Sequence, residues 1–172
     1  KNINGNNNVF IGYEAGYRNY YRYQIDKLVI ANGKDSRNEL ITGDFRAHTV
    51  TINGDLHASG NLTENSDARL KKDIKPLTHA LDAVLQLQAK TYRWKEDTAF
   101  ADQADIGLVA QDVEKVFPEL VAENEQGFKG IAYSKLTAVL IEAVKEQQGQ
   151  LTAQQDQIAS LETENTQLKT IM

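Results

Sequence analysis

The chain contains no cysteine among its 172 residues, which excludes disulfides, a cysteine zinc site and thiol catalysis, and leaves the redox compartment open. No apolar run approaches the roughly 20 residues that cross a bilayer, so membrane insertion is not expected. Positive charge is in the minority: 19 Lys and Arg stand against 24 Asp and Glu, a formal net charge of −5, with a pI near 5.2. The basic footprint of a nucleic-acid binder is therefore missing. A basic helix aimed at DNA fails as well, because residues 134–150 offer Lys135 and Lys145 against Glu142 and Glu146. His48, His57 and His79 form no cluster with metal-ligand spacing. No glycine loop could cradle a phosphate, and no cofactor is expected. Bulky core formers are diluted by Asn, Gln and Thr, and the mean hydropathy of −0.51 points to an elongated or oligomeric architecture. With neither an initiator Met nor a signal peptide ahead of Lys1, the chain reads as the C-terminal piece of something longer.

What is there divides into three stretches. Residues 1–65 are rich in Asn, Gly and aromatics. Short β-prone runs recur and close on Gly or Asn: Val9-Phe10-Ile11-Gly12-Tyr13, Lys27 to Gly33, Leu40 to Phe45, and Thr49 to Gly60 with its turns. So few bulky apolar residues would leave this piece marginal alone, whereas identical copies around a shared axis could bury what a monomer cannot. Tyr13, Tyr17, Tyr20, Tyr21 and Tyr23 form a local aromatic cluster suited to packing along such an axis or to meeting a receptor or sugar. Residues 66–133 read as a small α/β (α+β) unit. A helical period over Asp73 to Leu87, with Pro76 near its start, precedes a strand at Lys90 to Trp94. The apolar run Ile106 to Ala110 follows, then a short helix from Gln111 to Phe117 halted at Pro118. Trp94 and Phe117 are expected in its core.

Residues 134–172 are helical throughout. Leu140, Gln147, Gln154, Leu161 and Leu168 share one heptad position, and Val144, Leu151, Ile158, Asn165 and Met172 lie four residues on. Seven of these ten are apolar, which predicts a coiled coil, with the polar members fixing register or strand number. The fold class is thus mixed: a β-rich stalk end, a small α/β (α+β) domain and a long C-terminal coiled-coil helix.

Ser66-Asp67-Ala68-Arg69-Leu70-Lys71-Lys72-Asp73-Ile74 lies at the seam between the first two stretches. Ser66 with Asp67 behind it makes a helix N-cap. The same residues could form a Ser–Lys dyad, in which an amine of lowered pKa activates the hydroxyl. Five residues of α-helix advance about 500°, leaving the two side chains roughly 140° apart. Ser66 must then precede the helix, or the lysine must come from another chain.

This segment resembles the Ser-Asp-x-Arg-Leu-Lys-x-x-Ile consensus of the endosialidase-type intramolecular chaperone domain (peptidase S74 family) of phage tailspikes and tail fibres. Ser66, Asp67, Arg69, Leu70, Lys71 and Ile74 agree with it. The resemblance continues at Ile106 to Glu114, Phe117 to Val121, Tyr133 to Leu136 and Leu140 to Glu146, ahead of the coiled coil. It implies a homotrimeric chaperone that guides its own upstream stalk to fold and then cuts itself off in a single turnover. By this resemblance the Asn65–Ser66 bond is the cleavage site, Ser66 the nucleophile and Lys71 the general base. Asp67 would orient the lysine or favour the helix dipole, and Arg69 would support it. The implied setting is a tail fibre or tailspike of a phage virion, assembled in the host cytoplasm. The released chaperone would not be part of the mature fibre, and a host-surface receptor would be met through the parent fibre. The rival reading is a structural or receptor-binding trimeric fibre tip with an inactive dyad.

Overall fold

The computed structural model describes residues 5–17, 21, 23–33, 39–96, 98, 100–124 and 126–171. The fold is α+β, and the chain divides into two compact units: Lys1–Ser66 with Lys95–Asp102, and Asp67–Trp94 with Gln103–Met172.

The first unit is built on one four-stranded sheet, ordered β1 (Val9–Ile11), β2 (Lys27–Ala31), β3 (Glu39–Asp44) and β4 (Thr49–Ile52). β1 runs parallel to β2, and the other pairs are antiparallel. The parallel pair needs a long crossover, and asparagine side chains secure its ends. Asn8 accepts from the Lys27 N–H at 2.8 Å and donates to the Gln24 carbonyl, while Asn7 donates to Asp26. Gly12, at φ 107°, passes so close to the Ala31 carbonyl that a Cβ there would lie 2.0 Å from its oxygen. One face of the sheet is covered by this crossover: Val29 and Ala31 are buried with Tyr21, and Phe10 and Ala15 pack on them. Tyr21 donates to Glu39 at 3.2 Å. Tyr13, Tyr17 and Tyr23 stay exposed, so the tyrosine cluster is split between core and surface; Tyr20 lies outside the described residues. The β3–β4 turn is closed by Asp44, which accepts from the N–H groups of Arg46 and Ala47 and pairs with Lys27 at 2.7 Å. These donors, Lys27 first, hold the Asp44 carboxyl far below its ordinary value.

In the second unit the expected helix over Asp73 to Leu87 shrinks to α1, Ala80–Val84. Pro76 disfavours helical backbone in the residue before it, and Asp73 and His79 sit at φ 54° and 60°, in the left-handed region that breaks a right-handed helix. β5 (Lys90–Arg93) and β6 (Ala104–Gly107) form an antiparallel pair. α2 (Ala110–Val116) stops ahead of Pro118, which opens a single 3₁₀ turn. A hairpin of β7 (Val121–Glu123) and β8 (Lys129–Ile131) then leads into α3, Tyr133–Ile171. The core joins α1, α2 and the first turns of α3 through Ala80, Val113, Phe117, Leu120, Val139 and Ala143. Phe117 is in that core as expected; Trp94 is not. It lies at the surface, its indole N–H donating to Asp105 at 3.3 Å and its ring meeting Tyr92 edge-on at 5.5 Å.

From Gln147 to Ile171 every residue of α3 is exposed. The apolar heptad positions Leu151, Ile158, Leu161 and Leu168 have 46–61% of their surface in water, and Leu140 and Val144 are equally open. Met172 lies outside the described residues. Among the described residues no helix is long and apolar enough to cross a membrane.

Candidate functional site

Residues 66–79 are all exposed, and the motif lies inside that run. Ala68–Leu70 form one 3₁₀ turn, and its N-cap is Asp67 rather than Ser66. The shift follows from chemistry: Asp67 has extended backbone, and its Oδ1 accepts from the Arg69 N–H at 2.8 Å. Arg69 also folds its guanidinium back onto the same carboxylate, Nη2 to Oδ2 at 2.6 Å and Nε to Oδ1 at 3.0 Å. This forked pairing holds Asp67 below the ordinary carboxylate range and raises Arg69 above its own. Asp67 is thereby committed to Arg69 and to the turn.

Ser66 immediately precedes the cap, and Lys71 is the C-cap in extended backbone, its N–H bonded to the Ala68 carbonyl at 3.1 Å. Both therefore lie outside the turn, so the roughly 140° separation that an unbroken α-helix would impose does not apply to them. Asn65 precedes Ser66 in the same exposed stretch. The structure brings Asp67 and Arg69 together and places Ser66 and Lys71 at the two ends of one short turn.

Two features of the unit that carries the motif have no counterpart in the sequence reading. His79, the N-cap of α1, makes no side-chain cap bond. The orphan N–H groups of Ala80 and Leu81 are instead taken by Glu146 of α3, at 3.1 and 2.8 Å. Those bonds, Leu81 first, pull the Glu146 carboxyl below its ordinary value. No local signal could have found a cap 65 residues away. Tyr133, at the start of α3, accepts from the Leu108 N–H at 3.0 Å, and a Cβ at Gly107 would lie 2.9 Å from that hydroxyl oxygen. Gly107 in the Ile106-Gly107-Leu108 run is thus small because a tyrosine crosses it.

Residues 66–122 match the family described as chaperone of endosialidase. The chain carries an endosialidase-type chaperone domain. The matched residues of this chaperone domain run from Ser66 through the 3₁₀ turn, α1, β5, β6 and α2 into β7. Among curated proteins the chain is 33% identical over 109 residues to the long tail fiber protein Gp37 of Salmonella phage S16, covering 55% of this chain and 15% of that protein. It is 36% identical over 116 residues to Gp37 of Enterobacteria phage T2, covering 59% and 9%. Gp37 of Enterobacteria phage K3 is 38% identical over 103 residues, covering 54% and 8%. The chain therefore spans between 8% and 15% of the length of these tail fibre proteins.

Proposed function

We propose that the chain ends a phage tail fibre, and that its chaperone domain assembles the fibre as a homotrimer and then releases itself by cutting Asn65–Ser66. The trimer would form through α3, whose heptad stripe is too long and too apolar to be left in water. An intertwined stalk has high contact order and assembles slowly. A helix that associates locally sets the register of the strands upstream, and its later removal makes the stalk's persistence kinetic.

In the cleavage step the Ser66 Oγ attacks the Asn65 carbonyl carbon and its proton passes to Lys71 Nζ. The peptide C–N bond breaks as the Ser66 nitrogen takes up a proton, leaving an ester between Asn65 and Ser66. Water then hydrolyses the ester, giving a carboxylate at Asn65 and a new N-terminus at Ser66. The substrate is the chain's own backbone, so no substrate pocket is required. The observation that carries this reading is the position of the matched motif. The Asn65–Ser66 bond lies in a fully exposed stretch at the passage from the first compact unit to the second, with Ser66 and Lys71 flanking a turn braced by Asp67 and Arg69. Domain limits of 1–65, 66–133 and 134–172 go with this proposal.

One observation favours the rival, a trimeric fibre tip that does not cut. Asp67 is paired with Arg69, so its carboxylate serves the turn. Intact mass under denaturing conditions decides between them. Two fragments, ending at Asn65 and beginning at Ser66, with single intact chains in Ser66→Ala and Lys71→Ala, establish self-cleavage. One intact mass in all three leaves a passive assembly domain.

A further inference from the structure

Directly opposed residues of neighbouring strands share a face of the sheet. In the first unit one row across the four strands is Val9, Leu28, Gly43 and Val50, and the next is Ile11, Ile30, Ile41 and Ile52. Seven of these eight residues are aliphatic, and neither row contains a charge. Among the described residues the crossover covers the opposite face, where Phe10, Val29, Thr42 and Thr51 are paired. On the aliphatic face nothing is buried: Val9, Ile11 and Val50 are 41%, 52% and 65% exposed, and the other four are partly open. Without a side chain at Gly43, a hollow opens at one end of this face, lined by Leu28, Phe45 and Val50 together with Asp44, His48 and Thr49. An aliphatic sheet face left open to water needs a second layer.

We infer that this face is a self-association surface, packed in the assembled fibre against the same face of other copies of this chain. The inference rests on the reading of α3 as the trimerisation helix. Seven side chains leaving on the order of 60 Å² each amount to roughly 400 Å² per copy, the size of the largest apolar patch on a typical monomer, which is often functional, and too little for a specific complex formed from dilute chains. Tethering changes that balance. Once α3 has joined the copies, the sheets meet at an effective concentration in the range of about millimolar, where a weak apolar contact is occupied. The absence of charge from both rows fits an identical face, since like charges would otherwise meet.

The absence of cysteine makes the test direct. Ile41→Cys and Val50→Cys place single thiols on the aliphatic face, and Thr51→Cys places one on the opposite face. Each full-length variant is treated with a short bis-maleimide, which spans the roughly 10 Å between packed sheets, while its mass is followed by sedimentation. The expected result is a trimer in which Ile41→Cys and Val50→Cys are joined between chains on the order of tenfold faster than Thr51→Cys. Adding Ile11→Lys should abolish that advantage without changing the sedimenting mass. A trimer in which both face positions react no faster than Thr51→Cys overturns this inference alone. A chain that sediments as a monomer overturns it together with the trimeric reading.

Discussion

Replacing Leu161 and Leu168 by Ala should weaken the proposed trimer without unwinding its helix. Both side chains sit on one heptad position of α3 and are 50% and 61% exposed in the single chain. Complete burial of a leucine is worth about 1.5–3 kcal/mol, so the half still open is worth about 1 kcal/mol when a neighbouring helix covers it. Two leucines in three chains lose about 6 kcal/mol of association free energy, which corresponds to a trimer dissociation constant roughly 10⁴-fold larger. Alanine is the strongest helix former, so the substitution does not penalise the helix itself. Sedimentation equilibrium over a wide concentration range measures the constant, with circular dichroism as the check on helix content. An unchanged trimer constant would refute the placement of these leucines in the seam. A parent chain that stays monomeric at every concentration would refute the coiled coil altogether.

Three further outcomes follow from the second unit. Phe117→Ala empties a site that is 5% exposed and should cost about 3–5 kcal/mol in a denaturant titration; a loss below 1 kcal/mol would contradict its place in the core. Gly149→Ala, with nothing within 4 Å of the new Cβ, should stabilise α3 by about 1 kcal/mol per chain, seen as a higher melting temperature. Glu146 carries a pH signature: its folded carboxyl titrates below its ordinary value of 4.5, so the stability it adds is present above that pH and is lost as pH falls through the lower folded value. Glu146→Gln should therefore lower stability at pH 7 and flatten its fall under acid. Parallel stability curves for the parent and the variant would rule out the cap.

Local pattern was enough for much of the fold. β1, β2 and β4 lie within the short β-prone runs and β3 begins one residue ahead of its run, because β-branched residues favour strands and the turns between them need Gly or Asn. α2 ends at Pro118 and α3 runs through its heptads for the same kind of reason, since a helix is made of contacts three and four residues apart. The Ser66–Lys71 motif was likewise legible as a string of residues, and that string is where the family match begins. What the string could not convey was the use of each side chain. Whether Asp67 turned to Lys71 or to Arg69 depended on a 3₁₀ turn that brings residues two apart into contact. The fraying of the expected helix to Ala80–Val84 depended on left-handed residues at 73 and 79. Its surviving N-terminus is capped by a carboxylate from a helix more than 60 residues downstream.

The sequence by itself determined periodicity, turns and the identity of the motif, because these are written in neighbours along the chain. Tertiary structure alone decided the cap on α1, the tyrosine that crosses Gly107 and the side of the β-sheet left uncovered. Burial and orphan backbone groups are settled between segments far apart in sequence, and a linear pattern holds no record of which segments meet.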